Sequence, residues 1–170
     1  ISPINIPSMH TSGSRPGVMQ TKPVISPWRR LIDTSKVMSI AAQGNGTVWS
    51  APVYYLYDVK GFYFFSNPNA LHIKLSENGP AAASVFRDDA DIKKLAGIQM
   101  SGSILKCPLD ARSVGVAKRY CRHFNILDTA MDILSFFESK FHARLYCFEP
   151  ETVFYMDNSK GFGSREQVVL

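Results

Sequence analysis

Cysteine is scarce and poorly placed for anything but packing. Cys107, Cys121 and Cys147 are odd in number and widely spaced, with no Cys-x-x-Cys pair, which argues against a disulfide framework and predicts a reducing, cytoplasmic setting. Cys121 and His123 stand two apart without a second pair at zinc-ligand spacing, so no metal site is expected. No apolar run approaches the roughly 20 residues that cross a bilayer, and no membrane association is expected. Charge is also thin: Asp, Glu, Lys and Arg make up 19% of the chain against 45% hydrophobic residues, which argues against a disordered, solvating protein. The net charge of +5 leans towards anionic partners, but Lys and Arg are scattered and no helix carries a basic stripe, so nucleic acid is not expected as a partner. Gly161-Phe162-Gly163 lacks the third glycine of a dinucleotide fingerprint, and no helix clearly follows it. With no activated nucleophile, paired acid or metal cluster, hydrolase chemistry has no foothold and no catalytic residue is assigned.

What remains is a chain of 170 residues with material for one core. Pro3, Pro7, Pro16 and Pro23 mark residues 1–25 as an irregular arm, and 26–170 form a single domain. A short helix starts at Ser26-Pro27 with Trp28, Leu31 and Ile32 on one side. Lys36 to Gln43 reads as a strand, Gly44-Asn45-Gly46 as a tight turn, and Thr47 to Tyr57 as one long returning strand. After the turn Asp58–Gly61, Phe62 to Ser66 makes a third antiparallel strand. Asn69 to Asn78 is a short helix entered through Ser66-Asn67-Pro68, and Pro80 to Arg87 and Gly97 to Cys107 are strands, with Gly102 marking a bulge or close backbone approach. Helices follow over 110–123 and 128–141. Two closing strands, 143–148 and 152–156, flank Glu149-Pro150-Glu151, and 166–170 can add an edge strand. The pattern is mainly β with inserted helices, an α+β chain whose antiparallel strands suit a small closed or split barrel.

Several runs carry a family resemblance. Pro52-Val53-Tyr54-Tyr55 with Tyr57-Asp58, then Gly61-Phe62-Tyr63-Phe64-Phe65-Ser66, then His72 and Asn78, resemble the FMN-binding split-barrel proteins related to pyridoxamine 5′-phosphate oxidase. A little-characterised microbial branch is closer still, with a Ser-x-x-x-Ser-x-His pattern, a later Gly-Ile-Gln strand and a final Asp-Asn…Phe-Gly segment. Here these positions read Ser66, Ala70 and His72, then Gly97-Ile98-Gln99, then Asp157-Asn158 and Gly161-Phe162-Gly163. The resemblance covers residues 28–170.

The resemblance implies a homodimer with FMN at its interface and an oxidoreductase activity on an unknown small-molecule substrate or electron donor. A non-catalytic flavin- or haem-binding protein on the same fold is the alternative. A phosphate needs hydroxyls, backbone N–H groups and positive charge. Ser66, Asn67 and the amides around Asn69 and Ala70 fit that need, with His72 or Lys74 bringing charge. Pro52, Val53, Tyr54 and Phe65 belong to the same implied site, Tyr54 or Tyr55 could face the flavin ring, and Gln99 could hydrogen-bond its polar edge. The chain departs from the better-known oxidases where Ser50, Leu71 and His72 replace their arginine and Arg-Lys pair, and Ala70 replaces the branch's second serine. Weaker flavin retention is therefore expected. Each residue also has a plainer role: Ser66-Asn67-Pro68 is an ordinary helix entry, His72 an ordinary half-buried histidine, and the alternating tyrosines must in part face the core.

Overall fold

The computed structural model describes residues 25–59, 61–77, 79–126 and 132–170. The expected arm therefore lies outside the described residues except for Ile25, as does the first turn assigned to the second long helix. Helix α1 (Pro27–Thr34) starts on its proline, whose missing N–H would have been unpaired there in any case, and it buries Leu31 and Ile32. Strands β1 (Val37–Gly44) and β2 (Thr47–Tyr54) are joined by Asn45-Gly46 at φ 50° and 73°, the left-handed pair that a two-residue hairpin turn requires. Then come β3 (Leu56–Asp58), β4 (Gly61–Ser66), α2 (Leu71–Ser76), β5 (Ala81–Arg87), β6 (Ala96–Lys106), α3 (Ala111–His123), α4 (Ile133–Phe141), β7 (Arg144–Asp157) and β8 (Arg165–Gln167). The side chains of Asp110 and Asp132 accept the N–H of Ser113 and Ser135 at 2.8 and 3.1 Å, capping α3 and α4.

All strand pairings are antiparallel, in the order β2-β1-β5-β6-β7-β4-β3, with β8 beside the end of β7. The sheet curls into a half-barrel around Met38, Ile40, Phe62, Phe64, Val85, Ile98 and Phe148, and α1 and α2 contribute Ile32 and Ile73 to the same core. β7 joins two neighbourhoods. Its first residues pair with β4 and its last with β8, while β6 runs along its other edge. One extra residue, Glu151, sits opposite the step from Ser101 to Gly102. This bulge lets Pro150, which has no N–H to give, lie within a continuous strand. The two closing strands expected from sequence are thus one.

The long strand expected over 47–57 is broken instead. Tyr55 turns inward, its hydroxyl donating to the carbonyl of Ile32 at 2.7 Å and its N–H to that of Lys36 at 3.0 Å. Burial pushes the phenol well above its ordinary range, so the hydroxyl is a fixed donor. The motif Asp157-Asn158…Gly163 also has a local structural explanation. Buried Asn158 donates to the carbonyl of Ile92 at 2.9 Å and accepts the N–H of Gly163 at 3.1 Å, clasping two loops.

Candidate functional site

The nine site residues read from the sequence fall into separate places. At the corner where β4 passes to α2, the Ser66 hydroxyl lies 2.8 Å from Nε2 of His72. Asn67 builds the turn: its side chain accepts the N–H of Asn69 at 2.8 Å and its carbonyl that of Ala70 at 2.9 Å. The two amides that sequence reasoning offered to a phosphate are therefore already used within the turn. His72 is buried, and desolvation lowers its pKa below the ordinary 6.5, so the imidazole is neutral at pH 7. Lys74 is exposed on α2.

The corner does have a cation that sequence reasoning missed. Arg144, the first residue of β7, stands directly opposite Ser66 in the β4–β7 pairing, a position where side chains begin roughly 5 Å apart on one face. Its guanidinium now holds Glu138 of α4, with Nε at 3.1 Å and Nη2 at 2.9 Å. No sequence signal marks it, because the two residues meet only through strand order.

Pro52, Tyr54 and Gln99 belong to a different surface. On β1, inward Met38, Ile40 and Ala42 alternate with outward Ser39 and Ala41. The pairings carry that outward side across the sheet: Pro52, Ser39, Ser84, Gln99 and Phe154 lie side by side in one row, and Ser50, Ala41, Ala82, Ser101 and Thr152 in the next. The first row spans about 19 Å at the usual strand spacing. Neither row carries a charged residue, and most side chains are small. Gln99 is exposed, accepting only a 3.4 Å hydrogen bond from Arg165. Large apolar groups stand exposed around these rows, with Val48 at 70%, Tyr54 at 58% and Phe86 at 57% exposure.

The two remaining residues point into packing. Val53 is half-buried against the main core. Phe65 stacks on Phe137 of α4 with ring centres 3.7 Å apart, under the helices that cover the other half of the sheet. Among the described residues no hydrogen bond links the Ser66–His72 corner to Pro52, Tyr54 or Gln99, and no group of three or more His, Cys, Asp or Glu could hold a metal ion. No described helix is long and apolar enough to cross a membrane.

No family model matches the chain. It is 28% identical over 153 residues to the UPF0306 protein YhbP of Escherichia coli O157:H7, covering 86% of this chain and 92% of that protein. Among solved structures, Campylobacter jejuni ChuZ superposes with a TM-score of 0.65 at 13% identity over 83% of this chain and 57% of its own. A heme-binding protein from Mycobacterium smegmatis gives 0.62 at 15% identity over 86% and 60%. The chain thus spans less than two thirds of the length of these two proteins. A FAD-binding protein from Mesorhizobium loti gives 0.57 at 16% identity over 76% and 92%. A Clostridium acetobutylicum protein of the pyridoxinephosphate oxidase family gives 0.56 at 15% identity over 84% and 92%. With its strand order, its bulged β7 and its late helices, the chain has the antiparallel split-barrel fold of proteins related to pyridoxamine 5′-phosphate oxidase.

Proposed function

We propose that this chain is an FMN-binding flavoprotein that works as a homodimer, an oxidoreductase of the cytoplasm whose substrate is a small molecule. The observation that carries the reading is the outward face of β1, β2, β5 and β6, whose own residues in both rows carry no charge and which meets a guanidinium where Arg165 reaches Gln99. No described helix of the chain covers this face. Small Ser and Ala side chains rimmed by exposed Tyr54 and Phe86 suit burial against a second copy and a flat ring. Pro52, Tyr54 and Gln99 would meet the isoalloxazine ring, Gln99 offering amide donors and acceptors to its polar edge. Ser66, Asn67 and His72 would meet the phosphate, with Lys74 at the rim. Because His72 is neutral, the charge must come from Lys74 or from Arg144 released by Glu138, which is why retention is expected to be weak. The bound flavin would supply the electron transfer, and the protein the placement.

The first test is an absorbance scan of freshly purified protein, followed by titration with FMN and with riboflavin, which has no phosphate. Ser66→Ala and Arg144→Met should each weaken FMN about tenfold, near the worth of one hydrogen bond to a charged group, and leave riboflavin unchanged. Equal losses for both flavins would put the phosphate elsewhere, and no binding of either would end the reading.

Haem binding without flavin turnover is the second reading. The likeness to the Mycobacterium smegmatis protein favours it, as does a buried neutral imidazole at His72, the form that ligates iron. A Soret band on adding hemin that is lost in His72→Ala, with no response to FMN, would choose it.

A further inference from the structure

A cleft outside the assigned corner opens between the end of β2 and the last turn of α3. It holds about 370 Å³, within the range of roughly 300–1,000 Å³ typical of small-molecule sites. Its walls are aromatic. Phe124 meets Tyr54 edge-on with ring centres 5.3 Å apart and tilts against Tyr120 at 4.6 Å. The Tyr120 hydroxyl donates to the carbonyl of Tyr54 at 3.3 Å, pinning helix to strand so that the rings stay in place. Asn125, in the left-handed region at φ 52°, turns the chain at the helix end, and the N–H of Ile126 closes on the carbonyl of Cys121 at 2.9 Å.

Among the described residues that line the cleft the charged one is a cation. Lys36 and His123 both line it, and none of the described lining residues is acidic. The Lys36 ammonium takes part in no ion pair among the described residues, whereas Arg119 and Arg144 are both held by carboxylates. An aromatic cleft that leaves Tyr54 largely exposed and sets an uncommitted ammonium beside it selects a flat apolar body with one acidic group. A neutral aliphatic ligand would leave the ammonium unused, and a sugar phosphate would leave the rings unused.

We propose that this cleft binds a planar aromatic anion, its ring laid against Tyr54 and Phe124 and its acidic group on the Lys36 ammonium, with His123 as a second donor. The site goes beyond the flavin reading and does not require it, since Tyr54 alone is shared. Calorimetric titration with 2-naphthoate, and with neutral 2-naphthamide as control, tests it on the full chain. One 2-naphthoate should bind per chain. Lys36→Met should weaken it about fivefold, the worth of a solvent-edge ion pair, and leave 2-naphthamide unchanged. Phe124→Leu should weaken both ligands, with a thermal melt showing that the variant is folded. Absence of 2-naphthoate binding at millimolar concentration, or a Lys36→Met effect that is nil or equal for the two ligands, would overturn the proposal. FMN titration of the same Lys36→Met protein keeps the two sites apart: lost naphthoate with retained FMN supports the cleft, and the reverse overturns it.

Discussion

The two halves of the sheet solve the same problem in opposite ways. Behind β3, β4 and the first part of β7, outward positions carry large rings and thioether-free apolar groups, Tyr63, Phe65, Leu145 and Cys147, and α3 and α4 lie over them with Val116, Tyr120 and Phe137. Behind β1, β2, β5 and the first part of β6, the outward positions are Ser39, Ala41, Ser50, Ala82, Ser84 and Ser101, and no described helix covers them. The covered half gains its stability inside the chain. The inward side of the bare half builds the main core, but its outward face contributes little to the monomer, which leaves that face available to something outside. A single sheet has thus been divided between holding itself together and presenting a flat surface, and the bulge in β7 opposite Ser101 and Gly102 lies at the division.

The largest effect is expected at that division. A Cβ on Gly102 would sit 2.1 Å from the carbonyl oxygen of Glu149 and 2.9 Å from Cα of Pro150. Both obstacles are backbone, so no rotamer relieves them. Gly102→Ala should therefore cost about 3 kcal/mol or more, in the range of severe overpacking, and lower the melting temperature accordingly. A melt within two or three degrees of wild type, by about the usual 4–8 °C per kcal/mol in small domains, would mean that the halves are not joined as described.

Next, paired substitutions should separate the halves. Phe137→Ala removes the ring stacked on Phe65 and part of a closed aromatic cluster, and should destabilise the chain by about 3 kcal/mol. Ser84→Arg on the bare face should change monomer stability by no more than about 0.5 kcal/mol, since no described helix of the same chain lies over it. It should, however, block self-association, because a guanidinium would be buried at the centre of the joined faces. Analytical ultracentrifugation alongside the melts reads both outcomes. If Ser84→Arg leaves the association state of the wild type unchanged, the bare face is not where copies meet.

This division also explains what could be read from the sequence. Local chemistry was legible: Asn45-Gly46 makes the hairpin because its turn needs a backbone that few residues allow, and Gly102 marks the close approach at the bulge, where a Cβ would meet the backbone of Glu149 and Pro150. Pro150 misled, since proline ordinarily ends a strand, and only its neighbour across the sheet shows that its missing N–H falls at a bulge. The break at Tyr55 depends on a hydroxyl reaching Ile32, 23 residues away. At the corner, Ser66 and His72 lie six residues apart and were paired from sequence, while Arg144 meets Ser66 only through strand order.

The smallest effect concerns the protonation of that corner. Burial lowers the His72 pKa in the folded chain below the ordinary 6.5 that the unfolded chain keeps, so below that pH the unfolded state binds a proton that the folded state resists. Stability is then full above pH 6.5 and falls as pH drops through the folded value, the opposite sign from a histidine held by a carboxylate. His72→Gln, which keeps an amide for the Ser66 hydroxyl, should flatten this part of the pH dependence of urea unfolding. The two halves can be told apart here as well, because no histidine lies in the bare rows and Ser84→Arg should leave the slope as it is in wild type. If FMN phosphate docks at the corner, added FMN should flatten the acid limb of the wild type, since an anion beside His72 favours the proton that burial resists and so narrows the gap between folded and unfolded states, and the same addition should leave the slope of His72→Gln unchanged.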